Sequence, residues 1–174
     1  MTAERAHPRH LPWPRYALLG GLGAAALALT GLHRFAGAHA FMLNVSPSLP
    51  YWALWLESGS LPQRGQILVF DPPRSALLEA HFGIRPRPFA KYALGMPGDT
   101  VTRVGRRYFV GGREAALAKS VTRRGEALAL GPTGILPHGC YFVGTPHPDS
   151  FDSRYGEIGW ICGAQILGVA RPIL

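Results

Sequence analysis

From Tyr16 to Leu32 the chain reads YALLGGLGAAALALTGL without one charged side chain. As a helix these 17 residues span about 25 Å at 1.5 Å per residue, slightly less than the bilayer's hydrocarbon core of about 30 Å. The stretch has no polar face, which argues against a half-buried helix of a water-soluble fold. Arg15 and Arg34 flank it and can snorkel outward, while Trp13 and Tyr16 suit an interfacial belt. Arg5, Arg9 and Arg15 precede the run and Arg34 stands alone after it. The positive-inside rule therefore predicts a cytoplasmic tail over 1–15, a transmembrane anchor over 16–34 and an exported domain over 41–174. A removable signal peptide is the competing reading, since the run is short and Ala38-His39-Ala40 has the small-x-small pattern of a cleavage site.

The rest of the 174 residues suffices for one domain. The glycine and proline content of the whole chain, 22 and 16 residues, favours turns over long helices. Gln66 to Phe70 reads as a strand between Gly65 and Asp71-Pro72-Pro73, and Ser75 to Phe82 as one or two helical turns. Ile84 to Pro88 is loop. Thr100 to Val104, a turn at Gly105-Arg106-Arg107, and Tyr108 to Val110 form a hairpin, with Gly111-Gly112 a second turn. Tyr141 to Val143 and Ile166 to Val169 are further strands. Many short strands with Gly/Pro turns predict a mainly β fold, a folded-over or barrel-like sheet. Cys140 and Cys162, the two cysteines, either pair in an oxidising compartment or stay buried as thiols.

The formal charge of +8 follows from an Arg-rich composition. No nucleic-acid motif accompanies it, so no nucleic-acid partner is expected. Of the 18 basic residues only Lys91 and Lys119 are Lys. Arg stays protonated, whereas a desolvated Lys can lose its proton. A lysine general base must fall from about 10.4 to about 7–8, a cost of roughly 4 kcal/mol. Phe89, Tyr92, Leu94 and Met96 give Lys91 the apolar surroundings for that; an ordinary surface lysine is the other reading. Ser46 and Ser48, two apart, share a face of an extended segment, so that one can attack while the other donates to a developing oxyanion. A plain Ser/Pro loop is the alternative there. Tyr51 to Leu56, with two Trp and two Leu, either wets the bilayer surface or packs in the core.

Three segments, taken in order behind the anchor, resemble the signal peptidase I family of serine peptidases with a Ser–Lys dyad. They are Asn44-Val45-Ser46-Pro47-Ser48-Leu49-Pro50, the run from Lys91 to Asp99, and Ser150-Phe151-Asp152-Ser153-Arg154-Tyr155-Gly156. Small size, a single short anchor and Cys140-Tyr141-Phe142-Val143-Gly144 are similar to the TraF-type conjugative transfer peptidases of that family. Tyr51 where a glycine is usual, Gln66 where Asp is usual and Gly144-Thr145-Pro146 depart from the housekeeping pattern.

The resemblance implies a signal-peptidase- or LexA-like folded β-sheet domain behind one transmembrane helix. It implies Ser48 as nucleophile and Lys91 as general base, with the Ser46 hydroxyl and the Ser48 N–H as oxyanion hole. Ser150 would hold the Lys91 amine, and Asp152 with Arg154 would form a supporting ion pair. Pro97-Gly98-Asp99 takes a structural role as a turn. No metal and no cofactor are expected. The expected partners are inner-membrane lipid and a pilin or preprotein substrate with small residues before the cut, which the enzyme cleaves or closes into a ring on the periplasmic side. A general signal peptidase and a non-catalytic pilus-assembly protein are the alternatives. A Ser–His–Asp site built from His81 or His147 with Asp152, and a metal site at His138, His147 and Asp149, are further rivals.

Overall fold

The computed structural model describes residues 13–174; the expected cytoplasmic tail falls largely outside them. The apolar run forms α1, Trp13–Ala38, with no buried residue. At 1.5 Å per residue its 26 residues extend about 39 Å, enough to cross a membrane by length and composition. The helix runs beyond the uncharged stretch at both ends, with Arg15, His33 and Arg34 inside it. Immediately afterwards the chain changes period and enters strand β1, His39–Leu43.

Residues from Ala38 onward form the second compact unit, and it is mainly β as expected. Eleven strands make two antiparallel sheets. The larger contains β1, β2 (Ala53–Ser58), β3 (Ile67–Phe70), β4 (Phe89–Gly95), β9 (Cys140–Gly144), β10 (Ile161–Cys162) and β11 (Ile166–Pro172). Their spatial order is β1-β2-β11-β3-β4-β9-β10. The smaller has the order β7-β6-β5-β8, with β5 Thr100–Val104, β6 Arg107–Val110, β7 Arg113–Leu117 and β8 Gly134–Ile135. The predicted hairpin is β5–β6, closed by Gly105-Arg106 with Val104 opposite Arg107. Gly111 and Gly112 both have positive φ, the backbone that a tight turn into β7 requires.

The unbroken apolar run of β3 has a direct cause. All four residues are buried, and side chains alternate between faces. Leu68 and Phe70 join a cluster with Leu78, Tyr141, Val143 and Ile161. Ile67 and Val69 join Leu49, Leu54, Leu56 and Ala170. In Tyr51 to Leu56 the core takes Ala53, Leu54 and Leu56, which are buried, while Trp52 stays exposed. Helix α2, Ala76–Phe82, follows β3 and is capped by Ser75, whose Oγ accepts from Leu78 N. Cys140 and Cys162 stand opposite each other in the β9–β10 register and form a disulfide, which resolves the open cysteine alternative toward pairing.

Strand β4 lies between β3 and β9 in the middle of the large sheet. At its end the chain passes into β5 of the small sheet. The sheets approach so closely there that a Cβ on Gly95 would meet Leu136 Cδ1 at 2.7 Å and Phe142 Cβ at 2.8 Å. The following turn is fixed by Asp99. Its carboxylate accepts from Met96 N at 2.6 Å and from Arg64 Nη2 at 2.7 Å, while Arg64 Nη1 donates to Leu94 O. The structural role expected of Pro97-Gly98-Asp99 is therefore explicit.

Candidate active site

Ser48 sits in the loop between β1 and β2, and Asn44 organises that loop. The Asn44 Nδ2 group donates to Leu49 O at 3.2 Å and Tyr51 O at 2.6 Å. Asn44 Oδ1 accepts from Ser46 N at 3.1 Å and lies 3.2 Å from Ser46 Oγ, an Asx turn. Leu49 is buried in the apolar cluster beneath the loop. Ser48 is thus held between a side chain that pins the loop from above and one that anchors it from below. Sequence reasoning gave Asn44 no role; its place at the head of the Ser-x-Ser segment was the available signal.

Lys91 comes from β4, opposite Leu68 of β3, on the face it shares with Ala93; the register shift against β9 between Ala93 and Gly95 turns Gly95 toward Leu136 and Phe142 instead. It is 5% exposed, and its Nζ lies 5.8 Å from the centre of the Phe89 ring. Its amine donates to Ser48 Oγ at 2.7 Å, across 43 residues of sequence. Ser48 Oγ lies 2.8 Å from Ser46 Oγ. A continuous chain therefore runs Lys91 Nζ, Ser48 Oγ, Ser46 Oγ, Asn44 Oδ1. Because Asn44 Oδ1 can only accept, Ser46 Oγ donates to it and accepts from Ser48 when Lys91 is protonated. With Lys91 neutral, the Ser48 proton can turn toward the amine instead.

Burial pushes the Lys91 ammonium down from 10.5 to about 8; Asp152 opposes that shift and Arg154 reinforces it. These two residues form the expected ion pair, with Arg154 Nε to Asp152 Oδ1 at 2.7 Å and Arg154 Nη2 to Asp152 Oδ2 at 2.9 Å. Arg154 also donates to Thr145 O and Leu117 O, and Asp152 accepts from Thr145 N. Both are almost fully buried, so the charges are compensated where water cannot reach them. Ser153 Oγ accepts from Val143 N, which fastens this segment to β9.

Ser150 differs from expectation. It lines the same cleft as Ser48 and Lys91 and is buried, yet its Oγ makes no hydrogen bond. The Lys91 amine is committed to Ser48 Oγ, and the contact expected between Lys91 and Ser150 is not formed.

Ser48 and Lys91 line a cleft of about 680 Å³. Part of its lining is apolar, with Phe41, Met42, Leu43 and Val45 from β1 and the loop after it. The rest draws on α2, the segment 119–123 and the segment 147–151. Those pieces are tied together: His81 Nε2 lies 3.1 Å from Glu126 Oε2, Arg124 Nη1 donates to Ala80 O, and Asp149 pairs with both Lys119 and Arg123. Sequence reasoning missed Arg123 and Glu126, and nothing in the sequence placed Lys119 at the cleft. The rival assignments do not assemble. His81 is engaged by Glu126 while Asp152 is engaged by Arg154. Among the described residues no three His, Cys, Asp or Glu side chains gather to hold a metal.

Comparison with known proteins follows the same order of segments. The family model described as signal peptidase, peptidase S26, matches residues 17–174. The conjugal transfer protein TraF of Agrobacterium fabrum is 31% identical over 169 residues, covering 90% of this chain and 95% of that protein. The probable conjugal transfer protein TraF of Sinorhizobium fredii is 30% identical over 170 residues, covering 90% and 89%. The crystal structure of a signal peptidase I from Enterococcus faecalis aligns with a TM-score of 0.39 at 27% identity, covering 63% of this chain and 97% of that one.

Proposed function

The chain belongs to the S26 signal peptidase family, and we propose that it is a membrane-anchored serine endopeptidase that processes a pilin precursor for conjugation. The observation that carries the reading is the 2.7 Å contact between Ser48 Oγ and an amine brought down to about 8 by burial. The relatives named as conjugal transfer proteins support the biological setting. Helix α1 and the arginine distribution support an inner-membrane anchor with the catalytic domain in the periplasm. Retention of the anchor fits the pairing of His39 and Ala40 with Glu57 and Leu56, because a cut after Ala40 would remove two rungs of the β1–β2 ladder.

In the reaction, neutral Lys91 Nζ takes the Ser48 proton as Oγ attacks the scissile carbonyl. The tetrahedral oxyanion is stabilised by the Ser46 hydroxyl, whose O–H turns to it from Asn44 Oδ1, and by the Ser48 N–H. Protonated Lys91 returns its proton to the departing amine, which leaves an ester on Ser48. Water, deprotonated by Lys91, then attacks the ester and frees the carboxylate and the serine. When the incoming group is instead an amine of the same pilin subunit, an amide forms and the subunit closes into a ring. Ser150, Asp152 and Arg154 shape the surroundings of Lys91 rather than touching the reacting atoms.

Co-expression with a pilin precursor tests this. The full-length enzyme should shorten the precursor, and Ser48→Ala should not. Mass spectrometry separates the two outcomes, since a cyclic product weighs one water less than its linear counterpart. Unchanged processing by Ser48→Ala would refute the reading. Removal of signal peptides from exported preproteins is the second reading, favoured by the family description; broad cleavage of unrelated preproteins with no preference for pilin would select it.

A further inference from the structure

The cleft that holds the dyad is electrically lopsided. Arg87, Lys119 and Arg123 line it with the single carboxylate of Asp149, for a net charge of +2 before Lys91 is counted. Asp149 serves two cations at once, and Arg87 has no carboxylate partner among the described residues. Side chains this exposed, 45% for Lys119 and 72% for Arg123, contribute little to stability as ion pairs. Their shared position on the dyad's cleft is therefore better accounted for by what enters it. Phe41, Leu43 and Val45 give the same cleft an apolar lining, which strengthens the field inside it.

Resting on the peptidase reading above, we propose that the substrate segment lying in this cleft presents a carboxylate, which Arg87, Arg123 and Lys119 recognise. Asp149 is the internal stand-in: it occupies two of the cations when the cleft is empty and shares them when a second carboxylate arrives. The apolar lining takes the small and aliphatic side chains of the peptide, while the basic side chains select for charge. An acidic side chain near the cut and a free chain terminus are the two sources of that group.

The probes are internally quenched peptides with an Ala-x-Ala core, assayed with the full-length protein in neutral detergent micelles at low salt. One series carries Glu or Gln at each position in turn on both sides of the cut, with an amidated terminus. A second carries Gln throughout and a free carboxylate at the end. Glu should raise kcat/KM about fivefold over Gln at one or two adjacent positions. That gain should vanish in 1 M salt, where the screening length is about 3 Å. It should also fall to parity in the Arg87→Gln/Arg123→Gln double variant, and Arg87→Glu should shift preference toward Lys-bearing peptides. A gain confined to the free-terminus series identifies the chain end as the source.

Ser48→Ala with labelled Glu and Gln peptides gives the same comparison as binding, by fluorescence anisotropy. Equal kcat/KM for Glu and Gln at every position with no effect of the free terminus overturns the proposal, as does a preference that survives the double variant. Cleavage that persists in Ser48→Ala, or no cleavage of any peptide, overturns the peptidase reading and this inference with it.

Discussion

Lys91→Arg keeps a positive charge within β4 and removes the ability to lose a proton near neutral pH. With the amine at about 8, about half of it is neutral at pH 8 and about a tenth at pH 7. An unburied lysine at 10.5 would be neutral about 300 times less often at pH 7, so desolvation is the source of the usable base. A guanidinium starts well above any lysine amine. Even granted the same downward shift, it would stay above about 10, with about 1% neutral at pH 8. Proton availability alone then costs about 50-fold, and loss of the 2.7 Å donor–acceptor geometry removes a general-base contribution of about 10² or more. The expected loss in kcat/KM is about 10³-fold or greater.

The assay is cleavage of an Ala-x-Ala peptide from pH 6 to 9, with circular dichroism to confirm folding. The unsubstituted enzyme should gain about 50-fold between pH 6 and 8 and then level off, and the variant should show no inflection near 8. Because the two native cysteines are bonded to each other, Lys91→Cys offers a single thiol for alkylation with bromoethylamine, which restores an amine and should restore activity. A Lys91→Arg enzyme with more than a tenth of the original rate, or an inflection near 8 in that variant, would refute the neutral-amine argument.

The same burial carries a stability cost with a defined sign. The unfolded amine holds its proton to about 10.4 and the folded one only to about 8. Below pH 8 the folded state bears the full cost of a buried charge; between 8 and 10.4 stability rises with pH, and above that the cost is gone. Lys91→Met should therefore raise unfolding stability at pH 7 by about 3 kcal/mol while abolishing activity, measured by urea denaturation at pH 7 and 10.5, with the gain shrinking at the higher pH. Arg154→Met leaves Asp152 unopposed near Lys91 and should move the acid limb of kcat/KM to higher pH, whereas Asp152→Asn should move it lower; each breaks a buried pair worth about 3–5 kcal/mol in that direction, so the limbs are read at low temperature. Reduction of Cys140–Cys162, which closes a loop of 22 residues in sequence, should lower stability by about 3 kcal/mol, read as a shift in urea midpoint with and without reductant.

The strands most visible in the sequence were those whose apolar runs are buried on both faces, as in Ile67–Phe70, or punctuated by paired glycines, as around β6. Strand β1 was hidden because His39–Leu43 follows the apolar helix with no Gly or Pro between them and is only partly covered. Strand β4 was hidden for another reason: its residues carry chemistry, and Lys91 interrupts the period a buried strand usually shows. The Ser-x-Ser segment and the Lys91 segment stood out through their resemblance, in order, to the signal peptidase boxes, and the fold brings Ser48 and Lys91 into contact. The cleft's basic lining did not stand out, since Lys119, Arg123 and Asp149 meet through folding of segments with no motif. Ser150 shows the limit in the other direction: its place was read correctly and its hydrogen bond was not.

Lys91 and Ser48 are mounted very differently. Lys91 hangs from a strand laddered on both sides, whereas Ser48 follows β1, which leans on β2 alone at the outer margin of the sheet. Fraying of that margin would separate the two reacting groups long before the domain as a whole came apart. Amide hydrogens of His39–Leu43 should therefore exchange early, and the enzyme should fall silent at denaturant concentrations where its tryptophan fluorescence still reports an intact fold.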